Sequence, residues 1–485
     1  MRADVDTNHS LTGLGVLPWE RGRATATRRA PHLVLAWSLD EPERLGEVIP
    51  VELSVLVGRG ASAPDDIHPR QTLHRMRPGS LVAGAPIINA RVSRKQLLLE
   101  QQGEDALRVR SIGAARVRVN GVETQDATAS VGDLIEIHNA VVFYVASRAI
   151  ALPPVDADTL AFPFGGPDAF GIVGESELAW KLREQIAFAA STSRHVLILG
   201  ESGSGKELAA RAVHGLSARK GRTLVARNAA TMPEALIDAE LFGNVKNYPN
   251  PGMPERAGLI GEADESTLFL DEIGDLPEKC QVHLLRVLDD GGEYQRLGEA
   301  KTRRSSFRLV AATNRAPELL KHDFLARFTH RIALPGLRER RDDIALVLAE
   351  ILRRTARTNP TVAARFFERR AGQVAEPRLA PDLVVRLLRH TFTHHVRELE
   401  RLVWLAIGTA EADYIGVTPA VDAELAASAE SETDATALDR DTIVQALADH
   451  GRSPTKAAKA LGLKNRFVLL RLLKKHGLSA TGEDA

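Results

Sequence analysis

The chain has 485 residues, 44% of them hydrophobic and 26% charged, which excludes a disordered or membrane-embedded class and predicts about three domains. Lysine plus arginine equals aspartate plus glutamate at 63 each, so net charge indicates no partner. The single cysteine, Cys280, excludes an intramolecular disulfide. No apolar run approaches ~20 residues and the amino terminus has no apolar core, so we expect a cytoplasmic protein without a membrane partner.

The first part of the chain predicts an arm, a β-domain and a linker. Residues 1–30 are polar and arginine-rich without apolar periodicity, which is typical of a flexible arm. Residues 31–148 contain short runs of period two, such as VELSVLVG and ARVRVNG, separated by glycine, asparagine or aspartate. This pattern predicts an all-β sandwich. Residues 149–170 are rich in proline, glycine and alanine and predict a linker.

The central part changes to buried strands separated by helical patterns. HVLILG, STLFLDE and FRLVAATN are such strands, and they predict an α/β core with a parallel sheet over residues 171–337. Residues 338–413 have helical patterns throughout and predict a lid on this core.

A glycine-rich loop follows the first of these strands directly. HVLILGESGSGKE places Gly200, Gly205 and Lys206 at the spacing G-x-x-x-x-G-K, in which backbone N–H groups and a helix N-terminus hold phosphate oxygens. Glu207 stands where the general motif has a serine or threonine for Mg²⁺. A chance turn is the alternative, but the strand before the loop and the helical pattern ELAARAVH after it argue against that.

Polar residues end two further strands. In STLFLDEIGDLP the strand ends at Asp271 and Glu272, a pair that can serve Mg²⁺ and polarise an attacking water. In FRLVAATNR the strand leads to Asn314, whose amide can sense a γ-phosphate. Alone, such residues are more often solvated strand ends or turns. After a phosphate loop they predict an NTPase.

The carboxy-terminal part predicts an acidic linker and a basic helical unit. Residues 414–436 include VDAELAASAESETDAT, which has five acidic and no basic residues. Residues 437–480 contain helical patterns broken at Gly451 and Gly462, and the stretch 451–476 has eight Lys or Arg and no Asp or Glu. A basic helix alone is more often a solvated face, but two short helices around a glycine turn favour DNA binding.

Residues 171–410 resemble the AAA+ ATPases of sigma-54-dependent transcription activators (bacterial enhancer-binding proteins). GESGSGKE is similar to the family's GETGTGKE, and RNAATMPEALIDAELFG is similar to VNCAALPENLLESELFG. TLFLDEIGDLP, VAATNR, LPGLRERRDDI and VRELERLV match further family blocks. The resemblance implies ATP and Mg²⁺ as cofactors and an ATP hydrolysis that is coupled to transcription regulation.

The resemblance also implies a role for each matched residue. Asp271 would bind Mg²⁺, Glu272 would be the catalytic base, and Asn228 would be the switch that pairs with Glu272 before hydrolysis. Asn314 would be the first sensor and Arg397, from the lid, the second. The residues implied to bind ATP are Gly200, Gly203, Gly205, Lys206, Glu207, Asn314 and Arg397.

The family's arginine finger corresponds to KHDFLARF in this chain. Arg327 fills the second arginine position of the family pattern, whereas Lys321 replaces the first arginine and loses its planar bidentate geometry. A finger acts on the γ-phosphate of a neighbouring subunit, so the resemblance implies a homo-oligomeric, hexameric ring. Surface salt bridges are the alternative for Arg327 and Arg331.

The amino-terminal sandwich resembles a forkhead-associated (FHA) domain, a reader of phosphothreonine. VLVGRG, VSRKQ and VRVNG occur in the family's order, and Arg59, Ser93 and Arg94 would contact the phosphate. Gln96 replaces the usual histidine, and only Asn120 and Gly121 remain of a family loop, where they predict a tight hairpin turn. A sandwich that docks proteins without reading phosphate is the alternative.

The carboxy-terminal unit resembles a Fis-type helix-turn-helix, which implies binding to an upstream, enhancer-like DNA site. Leu469, Leu470, Leu472 and Leu473 would lie partly in its core. The residues predicted to face DNA are Lys464, Asn465, Arg466 and Arg471.

One segment departs from the activator family. Family members carry GAFTGA, a mobile loop that contacts sigma-54, where this chain has Asn247, Tyr248, Pro249, Asn250, Pro251 and Gly252. The two prolines fix φ and remove backbone donors, so we expect a stiffer loop and weak or altered engagement of sigma-54 RNA polymerase.

Two hypotheses of function follow. The first is an ATP-dependent, DNA-bound transcription regulator with a phosphopeptide-sensing domain and an oligomeric ATPase ring. The second is a phospho-dependent, DNA-bound scaffold or repressor whose assembly is controlled by nucleotide and which does not act on sigma-54. A free-standing remodelling ATPase is disfavoured by the basic carboxy-terminal unit.

Overall fold

The computed structural model describes residues 28–62, 64, 66–289, 291–368, 375–436, 440–450, 454–461, 469, 472–473 and 478. The chain divides into two compact units. The first comprises Met1–Leu35 and Glu47–Asp156, and the second comprises Ala36–Gly46 and Ala157–Ala485.

The first unit is built from two antiparallel sheets. One has the strand order β5-β4-β2-β1-β12-β11-β8-β9 and the other the order β10-β7-β6-β3. The strands are β1 (Arg29–Ser38), β2 (Val48–Pro50), β3 (Ser54–Val57), β4 (His74–Arg77), β5 (Ser80–Ala83), β6 (Leu97–Gln102), β7 (Ala106–Ser111), β8 (Val117–Val119), β9 (Val122–Glu123), β10 (Asp126–Ser130), β11 (Leu134–Ile137) and β12 (Val141–Ala149).

Alternating side chains of both sheets share one apolar core. Val55 and Val57 of β3 meet Ile135 and Ile137 of β11 in this core, which is the arrangement that period-two sequences predict. The β8–β9 hairpin turns at Asn120 and Gly121, both with positive φ, as the Asn-Gly pair predicts. The all-β prediction for this part of the chain is confirmed.

The second unit contains a five-stranded parallel sheet with the order β14-β15-β18-β13-β19. Its strands are β13 (Val196–Leu199), β14 (Val225–Asn228), β15 (Thr267–Asp271), β18 (Arg308–Thr313) and β19 (His330–Ala333), and a separate antiparallel pair is formed by β16 (Glu293–Tyr294) and β17 (Arg303–Arg304). The helices of this part are α1 (Glu177–Ala190), α2 (Lys206–Gly215), α3 (Ile237–Phe242), α4 (Leu259–Glu262), α5 (Glu278–Leu288) and α6 (His322–Leu325).

Both faces of the parallel sheet are covered. Val196 and Ile198 of β13 pack in a core with α1 and α2, whereas Leu197 between them packs in a second core with α3 and α5. The three central strands β13, β15 and β18 are therefore mostly apolar, because each of them buries both of its faces. The predicted α/β core with a parallel sheet is confirmed.

The lid is mainly helical. Its helices are α7 (Ile344–Thr358), α8 (Pro360–Phe366), α9 (Pro381–Arg389) and α10 (His395–Thr409). The prediction that residues 338–413 are helical throughout is wrong at one place, because β20 (Phe367–Glu368) and β21 (Glu376–Pro377) form an antiparallel pair.

The acidic segment was predicted to be a solvated linker, but the structure shows a helix with a buried face. It forms helix α11 (Pro419–Thr436), in which Val421 and Leu425 are buried, while Asp422 and Glu424 pair with Arg386 and Arg401 of the lid. Two apolar residues four positions apart thus supply one packed face.

The carboxy-terminal unit has its own apolar cluster. Helices α12 (Arg440–Asp449) and α13 (Pro454–Ala460) contribute Ile443, Leu447 and Ala457 to it. Leu469, Leu472 and Leu473 lie in the same cluster, as predicted, whereas Leu470 lies outside the described residues. Within the part of the chain that the structure describes, no helix is long and apolar enough to cross a membrane.

Candidate functional site

The glycine-rich loop connects β13 to α2 at one edge of the parallel sheet. Gly203 and Gly205 have φ values of +82° and +99°, which L side chains rarely adopt. Lys206 begins α2, is buried, and its Nζ donates to the carbonyl oxygen of Gly200 over 3.1 Å. The loop therefore presents backbone N–H groups, a helix N-terminus and an ammonium group at one place, which suits a phosphate chain.

The acidic pair lies beside this lysine. Asp271 ends β15, and the Oε1 atom of Glu272 is 3.6 Å from Lys206 Nζ. Glu272 has a positive φ of +50°, an uncommon conformation for a residue with a side chain. The arrangement places two carboxylates and one cation at the phosphate loop, as the strand ends predict.

Asp271 fits a bound magnesium ion. Burial, followed by the neighbouring charge of Glu272, raises the pKa of Asp271 above its usual value, so a cation at this carboxylate would relieve an unfavourable charge. The described residues contain no group of three or more His, Cys, Asp or Glu side chains that could hold a metal. Mg²⁺ needs no such group, because one or two carboxylates together with substrate phosphates bind it.

The two asparagines take different positions. Asn314 follows β18, and its backbone N–H donates to Glu272 Oε2 over 3.3 Å, so it lies at the acidic pair. Asn228 ends the neighbouring strand β14, where its Oδ1 accepts the N–H of Ala230 and caps a 3₁₀ turn. Among the described residues, no hydrogen bond joins the Asn228 side chain to Glu272. The role of Asn228 as a switch remains a prediction.

A cavity of about 320 Å³ extends from the phosphate loop to the lid. Lys206 and the acidic pair line one part of it, and apolar side chains line another part. Those apolar residues are Ile172, Val173, Leu182, Val347 and Ile351. A polar, cationic end and an apolar end suit a molecule that has a phosphate chain and a flat ring.

Arg397 brings the lid to the loop. It lies near the start of α10, lines the cavity, and its Nη1 donates to Ser202 Oγ over 2.8 Å. Glu207 also lines the cavity but pairs with Arg211 at an exposed position of α2. The residues predicted to bind ATP thus line this cavity, except for Asn314 and Gly200, which are adjacent to it.

Sequence reasoning missed a second set of contacts at the loop. Glu201 pairs with Arg338 and with His395, and neither of these lid-side residues was assigned a role. Arg340 lines the cavity, is buried, and donates from Nη1 to the carbonyl oxygen of Val173. The blocks LPGLRERRDDI and HHVRELE contain these residues, but spacing alone does not reveal which of their charges turn inward.

Arg327, the predicted finger, lies away from the nucleotide cavity. It follows α6, its Nε donates to Asp289 Oδ1 over 2.6 Å, and it lines a second cavity of about 1130 Å³. Lys321 pairs with Glu278, and Arg331 donates to the carbonyl oxygen of Leu325. A position outside the chain's own cavity is what action on another subunit requires.

The segment at the predicted remodelling loop is compact. Asn244 is fully buried, and its Nδ2 donates to the carbonyl oxygens of Val245, Tyr248 and Pro254. Within the loop, the N–H of Asn247 donates to the carbonyl oxygen of Met253 over 2.8 Å. These hydrogen bonds close residues 244–254 on themselves.

The same segment contacts the β16–β17 hairpin. The N–H of Val245 donates to the carbonyl oxygen of Leu297, and Glu255 pairs with Arg296 over 2.6 Å. The ring of Tyr248 lies against Gly298, where an added Cβ would come within 2.6 Å of its Cγ and 2.7 Å of its Cδ2. Side chains and backbone thus both fix the segment to the hairpin.

In the sandwich, Arg59 and Ser93, two of the three residues predicted to contact a phosphate, lie next to each other. The N–H of Arg59 donates to the carbonyl oxygen of Ser93, which brings these two half-buried residues together, and Arg94 is exposed next to Ser93. Ser93 Oγ accepts the N–H of Ala114 over 2.9 Å. An arginine and a serine hydroxyl on adjoining loops are residue types that suit a phosphate group.

Gln96 supports this place from within. Its side chain is fully buried, its Oε1 accepts the N–H groups of Ser93 and Ala115, and its Nε2 donates to the carbonyl oxygen of Ala115. It therefore ties two loops together.

The predicted DNA-facing residues Lys464, Asn465, Arg466 and Arg471 lie outside the described residues.

The second unit defines a class of protein. A parallel sheet of this strand order, a phosphate loop before α2 and a helical lid are the parts of an AAA+ protein. Residues 172–335 match the family described as Sigma-54 interaction domain.

Regulatory proteins of two bacteria agree with that match. The transcriptional regulatory protein ZraR of Salmonella typhimurium (strain LT2) is 34% identical over 326 residues, which cover 64% of this chain and 70% of that protein. The Nif-specific regulatory protein of Azotobacter vinelandii is 36% identical over 319 residues, covering 62% and 58%. A crystal structure of NtrX from Brucella abortus in complex with ADP is 28% identical, covers 64% of this chain and 70% of that one, and has a TM-score of 0.45. The chain belongs to the family of transcriptional regulators that carry the sigma-54 interaction domain.

Proposed function

We propose that this chain is an ATP-dependent, DNA-bound transcription regulator in which an oligomeric AAA+ ATPase is controlled by a phosphopeptide-sensing domain. The observation that carries the proposal is the position of Lys206, Asp271 and Glu272 at one end of a cavity that the lid helps to enclose. Family membership supports the regulatory role.

Each residue of the site has a chemical task in this proposal. Lys206 and the N–H groups of the loop bind the β- and γ-phosphates, and Asp271 holds Mg²⁺, which neutralises charge on those phosphates. Glu272 orients and deprotonates the attacking water, and Asn314 holds the Glu272 carboxylate through its backbone. Arg397 contacts the phosphates from the lid.

ATP hydrolysis by the purified full-length chain tests this proposal. We expect Lys206→Ala to abolish nucleotide binding, and Glu272→Gln to retain binding while lowering kcat by at least about 100-fold. Glu293→Gln, at an exposed position of β16, is the matched control and should leave both parameters unchanged. A wild-type chain that does not hydrolyse ATP, alone or at high concentration, would overturn the ATPase proposal.

The sandwich is proposed to bind a phosphothreonine-containing protein. Arg59 and Ser93 support this, because a backbone hydrogen bond joins them and neither side chain is fully buried. A phosphothreonine peptide library should identify a peptide that binds. In isothermal titration with that peptide, Arg59→Ala should raise the Kd at least about tenfold. Arg108→Ala, which removes an exposed ion pair on β7, is the control. Equal affinity for phosphorylated and unphosphorylated peptides would favour a docking sandwich that does not read phosphate.

The carboxy-terminal unit is proposed to attach the protein to an upstream, enhancer-like DNA site. The separate apolar cluster of α12 and α13 and the basic stretch 451–476 support this. We expect salt-dependent binding to duplex DNA, which charge removal at Lys464 and Arg466 together weakens at every salt concentration. Binding that does not depend on salt would contradict it.

A second candidate function is a DNA-bound scaffold or repressor whose assembly depends on nucleotide and which does not act on sigma-54. The hydrogen bonds of Asn244 and the contact of Tyr248 with Gly298 favour it, because they hold the segment that would have to contact sigma-54.

Capture of sigma-54 holoenzyme with ATP or a transition-state analogue separates the two candidates. Nucleotide-dependent capture together with sigma-54-dependent transcription in vitro would favour the activator. Replacing residues 247–252 by GAFTGA should create or increase that activation, since it restores glycines and removes both prolines. No capture by the wild type and no gain from the graft would favour the scaffold.

A further inference from the structure

The phosphate loop is bonded to the lid through a side chain that no role accounts for. Glu201 Oε1 accepts from Arg338 Nη2 over 2.7 Å, and Glu201 Oε2 lies 3.1 Å from His395 Nε2. The His395 side chain is 1% exposed. Glu201 is thus held on both of its carboxylate oxygens by residues from the lid side of the chain.

The direction of the histidine bond is fixed by a neighbour. The N–H of Leu337 donates to His395 Nδ1 over 3.3 Å, so Nδ1 accepts and Nε2 carries the proton that Glu201 receives as a hydrogen bond. His395 therefore joins Leu337, the end of the core, to Glu201 of the phosphate loop.

Close packing surrounds this bridge. An added Cβ at Gly203 would come within 2.2 Å of the carbonyl oxygen of His394, and one at Gly336 would come within 2.3 Å of the His395 ring. The N–H of Val396 donates to the carbonyl oxygen of Gly203. The start of α10 therefore lies directly on the phosphate loop, with no room for either to shift alone.

The bridge differs from an ordinary surface ion pair. The side chains of Glu201 and Arg338 are 28% and 22% exposed, whereas those of Glu207 and Arg211 on the same loop and helix are 62% and 61% exposed. Charged hydrogen bonds that are shielded from water are stronger than exposed ones. Glu201, Arg338 and His395 are not among the described residues that line the nucleotide cavity.

We propose that Glu201, His395 and Arg338 are positioning residues, which set the shape of the phosphate loop for the nucleotide according to the position of the lid. This rests on the proposed binding of ATP. The bridge holds the loop against α10 at Gly203, whose carbonyl oxygen accepts the Val396 N–H, and the Glu201 carbonyl oxygen lies 3.5 Å from Lys206 Nζ. Its loss should weaken binding of nucleotide more than it slows the chemical step, because Asp271 and Glu272 belong to a different strand.

Affinity and steady-state kinetics of the full-length chain test this inference. We expect Glu201→Gln, which keeps the shape of the side chain, to raise the Kd for a fluorescent ATP analogue and the KM for ATP about tenfold. The kcat should fall by less than about threefold. His395→Ala should do the same, and His395→Gln, which restores an N–H donor, should recover part of the affinity.

A double variant decides whether the residues act through one bridge. Glu201→Gln with His395→Gln should raise Kd no more than Glu201→Gln alone, since the donor that His395→Gln retains acts only through Glu201. Arg386→Gln, which breaks an exposed ion pair of the lid with α11, is the control and should leave Kd unchanged. If His395→Ala does not fold, Glu201→Gln, His395→Gln and their double variant still show whether the residues act through one bridge.

The outcomes separate this inference from the proposed function. An unchanged Kd in Glu201→Gln, or single effects that multiply in the double variant, would overturn the bridge while leaving ATP binding intact. A wild type that binds but does not hydrolyse ATP would overturn the ATPase proposal, and the Kd values would still decide on the bridge. A wild type without affinity for ATP would overturn both.

Discussion

Glu398 illustrates how a single buried carboxylate orders the start of α10. Its Oε2 accepts the N–H groups of Thr393 and His394, and its Oε1 accepts from His390 Nε2 over 2.9 Å. Burial raises the pKa of Glu398, but the hydrogen bonds from His390 and from the backbone of His394 and Thr393 outweigh it, so the pKa falls from 4.5 to about 2. The glutamate of the VRELERLV block is therefore explained by helix capping.

Glu398→Gln should lower the free energy of unfolding at pH 7 by about 2 to 3 kcal/mol. The folded pKa is depressed, so the stabilisation is complete above pH 4.5 and is lost as the pH falls towards 2. The difference between wild type and variant should accordingly shrink across that range. Urea unfolding followed by tryptophan fluorescence measures it, because Trp404 lies on the same helix.

Glu400→Gln is the matched control for this change, because Glu400 lies on the same helix and pairs with Arg354 at an exposed position. An exposed pair contributes at most about 1 kcal/mol, and its loss should show little dependence on pH below 4.5. Equal effects of the two variants at pH 7 would contradict the importance of the Glu398 hydrogen bonds.

Residue identities at the site were only partly accessible from the sequence. Motif spacing located Lys206, Asp271 and Glu272, because the ends of neighbouring parallel strands meet at one edge of the sheet. The bridge through His395 was not accessible, since it depends on how the lid packs against the loop. The structural role of Gln96 was also not accessible from the sequence. The sequence shows only that it replaces the usual histidine of the FHA family, whereas in the structure its buried amide ties two loops together.

At the scale of elements, the segment 244–256 and the β16–β17 hairpin form one structural piece. Two backbone hydrogen bonds join Leu297 to Gly243 and Val245, and Arg296 pairs with both Glu255 and Glu299. Two hydrogen bonds from Arg303 and Arg296 lower the pKa of Glu299 to about 2, so these pairs persist at any pH near neutral. The hairpin therefore restricts the segment by both its backbone and its charges.

Gly298→Ala should release the segment from the hairpin. The new Cβ would lie 2.6 to 3.0 Å from Tyr248, so the ring must leave its position. We expect amide hydrogen exchange of residues 244–256 to become about tenfold faster, with ATP hydrolysis nearly unchanged.

Gly252→Ala separates contact from backbone strain in this test. Gly252 also has a positive φ, of +89°, but nothing lies within 4 Å of the place where its Cβ would be. Its substitution strains the loop without touching the hairpin, so exchange at Val245 and Leu297 should stay as in the wild type. Equal exchange in all three proteins would show that the ring contact does not hold the segment.

Element types were largely accessible from the sequence, and the exceptions have physical reasons. Apolar strands between helical patterns predict a parallel sheet covered on both faces, and the β-domain follows from period-two alternation. Helix α11 was missed because its acidic residues dominate the pattern, although Val421 and Leu425 give it one buried face. The β20–β21 pair was missed because two strands of two residues have no detectable period.

At the scale of the whole molecule, the position of Arg327 bears on assembly. Within one chain it pairs with Asp289 and lines the second cavity, so the nucleotide cavity of that chain receives no contact from it in the described structure. If Arg327 completes a neighbour's site, a single chain carries a complete binding site and an incomplete catalytic one. Hydrolysis per subunit must then rise with protein concentration.

Mixing two inactive variants tests this arrangement directly. Arg327→Ala keeps Lys206, Asp271 and Glu272, whereas Glu272→Gln keeps the arginine, so each variant alone should lose activity, by on the order of 10³ for the arginine. In mixed rings, an Arg327→Ala site can lie beside an intact arginine of a Glu272→Gln subunit. We expect ATPase activity to reappear on mixing and to be greatest near equal amounts, because that ratio gives the most such neighbours.

Arg331→Ala serves as the control for this mixing experiment, since Arg331 lies four residues after Arg327 and its guanidinium donates to the Leu325 carbonyl oxygen. It should retain activity near that of the wild type. If ATPase activity recovers on mixing and Arg331→Ala has the kinetics of the wild type, the arginine finger is Arg327. Full activity of Arg327→Ala on its own, or an inactive mixture at every ratio, would instead mean that its pair with Asp289 only stabilises the surface of one chain.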